Sequence, residues 1–170
     1  MPVSFLPRLM VDEVMDLSAE LLSQRGIRLL MLDFDNTIVP YTTSQPTEKM
    51  DRWLKEMAAS PIRLCVVSNS RKDRVKIFCR NYGIPCITHS QKPFPKGIRQ
   101  CLKQFGLPAD ACALAGDQIF TDTLGANGCG VMSILVKAID NHNFWLKARH
   151  VLEKPFIFAA RKRRMTNEES

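Results

Sequence analysis

Several features are absent from this chain of 170 residues, and each absence excludes a class of protein. No apolar run approaches the roughly 20 residues that a membrane-spanning helix needs. The first ten residues hold two prolines and an arginine in place of a secretory signal pattern, so we expect no signal peptide. None of the six cysteines forms a C-x-x-C pair, so we expect no zinc site. Internal repeats and low-complexity segments are also missing.

What is present indicates a globular domain with a reduced core. Apolar residues make up 45% of the chain and charged residues 24%, which are ordinary values. Several cysteines lie in apolar runs, where the reduced side chain behaves as a small hydrophobe, so we expect a cytoplasmic protein. The length predicts a single domain over residues 1–164, followed by a polar, frayed tail at 165–170.

The net charge of +7 favours an anionic partner, and the basic excess is conspicuous at residues 161–164. A phosphorylated ligand, nucleic acid and anionic membrane all fit this charge. In the segment 143–164, aromatic and aliphatic residues are mixed with basic ones. That mixture predicts either a helix packed on the sheet or a surface that contacts membrane peripherally. A solvated surface with an exposed tail is the plain alternative, and the oligomeric state is left open.

Short apolar runs alternate with helical patterns along the chain. The runs that predict strands lie at 28–32, 62–67, 85–88, 111–115 and 131–136. The spacings that predict helices lie at 11–25, 44–60, 71–82, 95–105 and 120–126. Strands that are apolar throughout are buried on both faces. The sequence therefore predicts an α/β fold, a three-layer sandwich with a central parallel sheet.

Polar residues follow four of the predicted strands. They are Asp33 to Thr37, Ser68 to Ser70, Lys92 with Pro93, and Asp117 with Asp122. Because the carboxyl ends of parallel strands meet at one edge of a sheet, we expect these residues to form one site.

The acidic residues predict a metal site at that edge. Asp33 and Asp35 would repel each other if they lay side by side, and a bound cation relieves that repulsion. Asp117 adds a further oxygen ligand. Hard oxygen donors of this kind are typical of Mg²⁺.

The remaining polar residues suit a phosphate group. Ser68 offers a hydroxyl, and its neighbours, beginning with Asn69, offer backbone N–H groups at a predicted helix start. Lys92 supplies a positive charge for phosphoryl oxygens, and we prefer it to Lys96, which lies inside the next predicted helix. Carboxylates can attack phosphorus as nucleophiles, so the set predicts phosphoryl transfer.

These motifs, in this order, resemble those of the haloacid dehalogenase (HAD) superfamily. D-F-D-N-T from Asp33 resembles its first motif, Ser68 with Asn69 its second, Lys92 with Pro93 its third, and G-D-Q-I-F-T-D ending at Asp122 its fourth. The lead-in F-L-P from Phe5 and the D-N-T at Asp35 look like the YqeG-type branch of subfamily IIIA. That branch is similar to phosphatidylglycerophosphate phosphatases.

The resemblance implies a Rossmann-like fold and assigns roles to the site residues. It implies that Asp33 is the nucleophile and forms an aspartyl-phosphate, and that Asp35 is the general acid and base. The metal would be held by Asp33, the backbone carbonyl of Asp35, and Asp117. Ser68, Asn69 and Lys92 would bind phosphate, with Thr37 and Asp122 in supporting roles.

The spacing of the motifs leaves no room for a cap domain, because one helix and one strand fill each interval. An open site suits a bulky or surface-held substrate, and the family resemblance makes phosphatidylglycerophosphate the leading candidate. Two alternatives stay open: a phosphatase for a soluble phosphoester, and a non-catalytic protein that binds RNA, a ribosome or a membrane.

Overall fold

The computed structural model describes residues 4–140, which form a sheet of six parallel strands with helices on both faces. The strands are β1 (Leu9–Val11), β2 (Leu29–Leu32), β3 (Arg63–Val67), β4 (Cys86–Ile87), β5 (Cys112–Gly116) and β6 (Met132–Val136). Their order across the sheet is β1-β6-β5-β2-β3-β4. The predicted fold class is confirmed.

This strand order contains a switch point between β2 and β5. From β2 the chain moves outward to β3 and β4, and it then returns to place β5 on the other side of β2. In open parallel sheets, ligands bind beyond the carboxyl ends of the strands at such a point. Asp33 follows β2 and Asp117 follows β5, so two predicted site residues lie there.

Helices cover both faces of the sheet. They are α1 (Ala19–Gln24), α2 (Glu48–Ala58), α3 (Asp73–Tyr82), α4 (Lys96–Phe105) and α5 (Leu124–Gly128). Alternate residues of β2 enter opposite cores: Leu30 and Leu32 pack in the cluster that contains residues of α1, α2 and α3. Leu29 and Met31 pack in the cluster that contains residues of α4 and α5. Burial on both faces explains why these strands are apolar throughout.

The helix predicted over 11–25 is wrong in its first half. Leu9–Val11 form strand β1, which pairs with β6 through Val11 and Val136. A single 3₁₀ turn follows, and α1 begins only after Ser18, whose hydroxyl accepts a hydrogen bond from Leu21 N–H at 3.0 Å. The helical spacing of apolar residues continued across this cap, so periodicity alone merged a strand, a turn and a helix.

The other predicted elements are present with shifted ends. Helices α3 and α4 end at Gly83 and Gly106, whose φ angles of 65° and 61° lie in the left-handed region that favours glycine. The helix predicted over 120–126 is a π-helical turn, Ile119–Thr123, followed by the short α5.

The remaining sequence predictions concern the cysteines, membrane-spanning helices and the C-terminal segments. All six cysteines are free thiols, as expected for a reduced core. Across residues 4–140, none of the helices has both the length and the apolar character required to cross a bilayer. The segments 143–164 and 165–170 lie outside the described residues, so the domain boundary and the two readings of the basic segment stay predictions.

Candidate active site

The site lies at the carboxyl ends of the two strands that flank the switch point. Asp33 N–H donates a hydrogen bond to the Ala115 carbonyl at 2.9 Å, which extends the β2–β5 pairing by one residue. That register places Asp33 beside Gly116 and Asp117. The sequence prediction that the strand ends converge on one edge is confirmed for this pair.

Three carboxylates and one lysine form the centre of the site. Asp33, Asp117 and Asp122 each offer an oxygen within 4.8 Å of the others, and all three residues are buried. Lys92 Nζ lies 2.7 Å from Asp33 Oδ1 and 2.7 Å from Asp122 Oδ1. Four side chains from three separate parts of the sequence thus share one buried space.

The charges in this space are unbalanced. Burial raises the pKa of Asp33 to about 6; the Asp122 carboxylate also raises it, while Lys92 opposes the shift. Burial and the carboxylates of Asp33 and Asp122 raise the pKa of Asp117 well above its usual value. Burial alone would lower the pKa of Lys92, but the neighbouring Asp122 and Asp33 outweigh it and raise that pKa. The centre therefore holds more negative charge than its single lysine neutralises.

The residues present fit a divalent cation. Oδ1 of Asp117 is buried and has no hydrogen-bond partner among the described residues, although a buried carboxylate oxygen normally has one. Three carboxylate oxygens close together are hard donors of the kind that Mg²⁺ binds. A cation held by Asp33 and Asp117 would supply the positive charge that the centre lacks.

A glycine allows Asp122 to approach the strand end. A Cβ added at Gly116 would lie 2.3 Å from the Asp122 carboxylate, so no larger residue fits without moving it. The π-helical turn directs Asp122 back toward its own start, where Oδ2 accepts a hydrogen bond from Gln118 N–H at 3.1 Å. The G-D-x-x-x-x-D spacing thus brings both carboxylates to one place.

The position of Lys92 depends on Asn69. The Asn69 side-chain carbonyl accepts hydrogen bonds from Ser90 Oγ and Lys92 N–H, both at 2.7 Å. Its amide nitrogen donates to the Lys92 carbonyl at 2.8 Å. Asn69, which we predicted to bind phosphate, thus holds the turn that carries Lys92 through three hydrogen bonds of its side chain. Its backbone N–H and the second N–H of its side-chain amide stay candidate donors for phosphate.

Ser68 is buried at the end of β3, and its surroundings differ from the prediction. Helix α3 begins at Asp73, five residues after Ser68, so the N–H groups near Ser68 belong to a loop and not to a helix start. Within that loop Ser70 N–H donates to Ser68 Oγ at 3.0 Å. The hydroxyl of Ser68 stays a candidate donor to phosphate, without help from a helix dipole.

Asp35 does not join the carboxylate centre. Its carboxylate pairs with Arg74 of α3, so Asp33 and Asp35 face different cations. Asn36 has φ of 62°, the left-handed conformation that glycine would otherwise supply and that asparagine tolerates. The next residue, Thr37, is buried, and its hydroxyl has no partner among the described residues.

The structure separates the two candidate lysines. Lys92 is 4% exposed and contacts two carboxylates, whereas Lys96 is exposed at the first turn of α4. The residue that our reading of the sequence missed is Arg74. Its only signal was the helical spacing to Phe78, which indicates that both side chains lie on the inner face of α3.

Comparison with known proteins agrees with this geometry. Residues 1–139 match the family described as Mitochondrial PGP phosphatase. The chain belongs to this family. It is also 31% identical over 160 residues to "Probable phosphatase YqeG" of Bacillus subtilis (strain 168), covering 94% of this chain and 93% of that protein. The resemblance to YqeG-like HAD phosphatases is thereby confirmed, and the protein is a phosphoric monoester hydrolase.

Solved structures confirm the fold. A HAD superfamily hydrolase of subfamily III A from Legionella pneumophila aligns with a TM-score of 0.56 at 17% identity, over 76% of this chain and 74% of that one. The cobalt-bound deoxy-D-mannose-octulosonate 8-phosphate phosphatase of Haemophilus influenzae aligns with a TM-score of 0.54 at 15% identity, over 76% and 89% of the two chains.

Proposed function

We propose that this PGP phosphatase family member is a Mg²⁺-dependent phosphomonoesterase that works through an aspartyl-phosphate on Asp33. The observation that carries the proposal is the buried centre of Asp33, Asp117 and Asp122, in which Lys92 contacts Asp33 and Asp122. A bound Mg²⁺ would neutralise charge on the phosphoryl group. Asp33, Asp117 and the backbone carbonyl of Asp35 are the groups we assign to hold it.

The chain's own residues supply the two chemical steps. A carboxylate oxygen of Asp33 attacks phosphorus, the bond from phosphorus to the ester oxygen breaks, and Asp35 gives a proton to the leaving oxygen. Water then attacks the same phosphorus, Asp35 takes a proton from it, and the bond to Asp33 breaks to release phosphate. Lys92 and Ser68 bind phosphoryl oxygens throughout, and Asp122 holds Lys92 in place.

The substrate we propose is a lipid phosphomonoester, with phosphatidylglycerophosphate as the leading candidate. The intervals between the motifs contain only α2 before β3, and α3 before β4, so no cap covers the site in the described residues. An open site can receive a headgroup that stays in a membrane surface.

Exposed apolar side chains at the same edge of the sheet support a surface-held substrate. Phe94 is 70% exposed and lies two residues after Lys92. Ile139 is 47% exposed, and its N–H donates to the Asn36 carbonyl at 3.0 Å, beside the first motif. Tyr41, 38% exposed, lies in the segment that follows that motif. Apolar side chains around an open site suit contact with a lipid surface.

The test is phosphate release from phosphatidylglycerophosphate in mixed micelles, beside a panel of soluble phosphomonoesters, with Mg²⁺ or with a chelator. We expect Mg²⁺-dependent release from the lipid, and none from Asp33→Asn. Activity of Asp33→Asn equal to that of the wild type would refute the mechanism. Release from soluble esters alone would keep the mechanism and refute the lipid substrate, and no release at all would favour a binding protein.

A pair of matched variants tests the contact with the lipid surface. Phe94→Ser should lower the rate on micelles and leave the rate on a soluble ester unchanged. Ile77→Ser is the control, because Ile77 is 54% exposed on α3, outside the loops at the site. Equal rates on micelles for the two variants would contradict the proposed contact.

A further inference from the structure

Arg74 connects the second carboxylate of the first motif to the segment that follows that motif. Its Nη2 pairs with Asp35 Oδ1, and both side chains are about one-sixth exposed, at 16% and 15%. Its Nη1 donates hydrogen bonds to the carbonyls of Thr43 at 2.7 Å and Tyr41 at 3.1 Å. One guanidinium therefore contacts both Asp35 and the backbone of residues 41–43.

Aromatic packing holds that guanidinium in place. Arg74 Cζ lies 5.2 Å from the ring centroid of Phe34, which is fully buried. The Phe34 ring in turn packs edge-to-face on Phe78 at 5.2 Å, one turn along α3 from Arg74. A planar cation over a buried aromatic ring has few alternative positions, so its direction toward Asp35 is set by the core.

The two acidic residues of the first motif pair with different cations. Asp33 pairs with Lys92 in the carboxylate centre, and Asp35 pairs with Arg74 at the other side. Two carboxylates so close in sequence would otherwise repel each other or compete for one cation. Separate partners keep Asp33 among the metal-binding carboxylates and hold Asp35 away from them.

We propose that Arg74 is a positioning residue that holds the Asp35 carboxylate toward the leaving group and fixes segment 40–43 beside it. The inference rests on the proposed function, because it gives Asp35 the transfer of the proton to the leaving oxygen. The fork of the guanidinium is required, since one nitrogen contacts the carboxylate while the other contacts the backbone carbonyls. A lysine at this position would keep the charge and lose one of the two connections.

The test measures kcat and KM for Arg74→Gln, Arg74→Lys and Asp35→Asn in the full chain. A soluble alkyl phosphate with a poor leaving group is compared with p-nitrophenyl phosphate. We expect Arg74→Gln to lower kcat/KM for the alkyl phosphate by about tenfold to hundredfold, the cost of misplacing a reacting group by roughly 1 Å. The loss of kcat/KM for p-nitrophenyl phosphate should be smaller, because kcat/KM reports the first step and that leaving group needs no proton. The water step, in which Asp35 acts on the same intermediate for both substrates, affects kcat alone. Arg74→Lys should lie between Arg74→Gln and the wild type.

A double variant shows whether Arg74 acts through Asp35. If it does, the double variant should have the same kcat as Asp35→Asn alone. If the two residues act independently, the fold-losses of kcat would multiply in the double variant, and the inference would be overturned. Arg80→Gln is the matched control, since Arg80 is exposed in the last turn of the same helix, and its kcat should equal that of the wild type. Equal losses of kcat/KM on the two leaving groups would also overturn it.

Hydrogen exchange separates this inference from the proposed function. The amides of residues 41–43 should exchange faster in Arg74→Gln than in Arg80→Gln, and unchanged exchange would overturn the anchoring role whether or not the protein is active. If the wild type released phosphate from no monoester, the proposed function would fail and with it the part played through Asp35. An active wild type with multiplicative double-variant losses would refute the inference alone.

Discussion

Stability of the metal-free protein should fall as pH rises through the range in which Asp33 ionises. The folded state raises the pKa of Asp33 from 3.8 to about 6, because burial and Asp122 disfavour the charged form. A carboxyl group whose pKa is raised on folding stabilises the protein below its unfolded pKa. That contribution is lost as pH rises through the folded pKa.

The size of the effect follows from the shift. Moving from 3.8 to about 6 corresponds to about 3 kcal/mol of unfolding free energy at 1.36 kcal/mol per pKa unit. Asp117 adds to the loss, since its pKa is raised in the same direction. For a chain of this length, each kcal/mol shifts Tm by about 2–4 °C, so Asp33 alone contributes about 6–12 °C. A bound divalent cation neutralises the unfavourable negative charge and should restore the stability that is lost.

Thermal unfolding followed by circular dichroism measures this directly, with a chelator or with excess Mg²⁺, at about pH 5 and about pH 7.5. Mg²⁺ should raise Tm more at the higher pH. Asp117→Asn should weaken the response to Mg²⁺ and make the metal-free protein more stable at the higher pH than the wild type. Asp110→Asn, at an exposed carboxylate near the opposite end of β5, is the control. An equal Mg²⁺ shift at both pH values, or a full response in Asp117→Asn, would refute the reasoning.

Two further substitutions test the packing that positions the site. Gly116→Ala places a Cβ 2.3 Å from the Asp122 carboxylate. We expect the free energy of unfolding, measured with denaturant, to fall by about 1–3 kcal/mol, and kcat for phosphate release to fall at least tenfold. Wild-type values for both would contradict the close approach. Trp53→Phe removes the hydrogen bond from Trp53 Nε1 to the buried Leu17 carbonyl at 2.8 Å. It should cost about 1–3 kcal/mol with little change in kcat at 25 °C, and an unchanged denaturation midpoint would show that water replaces the donor.

Most of the site could be predicted from the sequence because its residues follow strands. An apolar run that ends in charged residues marks the carboxyl end of a buried strand, and parallel strands end at one edge. Asp33, Ser68, Lys92 and Asp117 were found in this way, and the structure places Asp33, Lys92 and Asp117 together with Asp122. Resemblance to a known family added roles, which composition and spacing do not contain.

The orientation of individual side chains required the tertiary structure. The sequence predicted Asn69 as a phosphate ligand and gave no sign that its side chain holds the turn at Lys92, because residues 69 and 92 meet only when β3 and β4 pair. Asp35 looked like a neighbour of Asp33, yet it faces Arg74, 39 positions along the chain. Hydrogen bonds between residues so distant along the chain produce no periodic pattern in the sequence of either segment.

By itself the sequence determined the class of fold, the positions of five strands and the polar residues that follow them, because apolar runs and breaks are local patterns. Only the tertiary structure decided the strand order and the existence of β1. The three residues of β1 carry no signal of their own, and they form a strand because β6, more than 120 positions later, offers a free edge. By pairing with β6, the backbone groups of β1 gain hydrogen bonds that no local sequence pattern predicts.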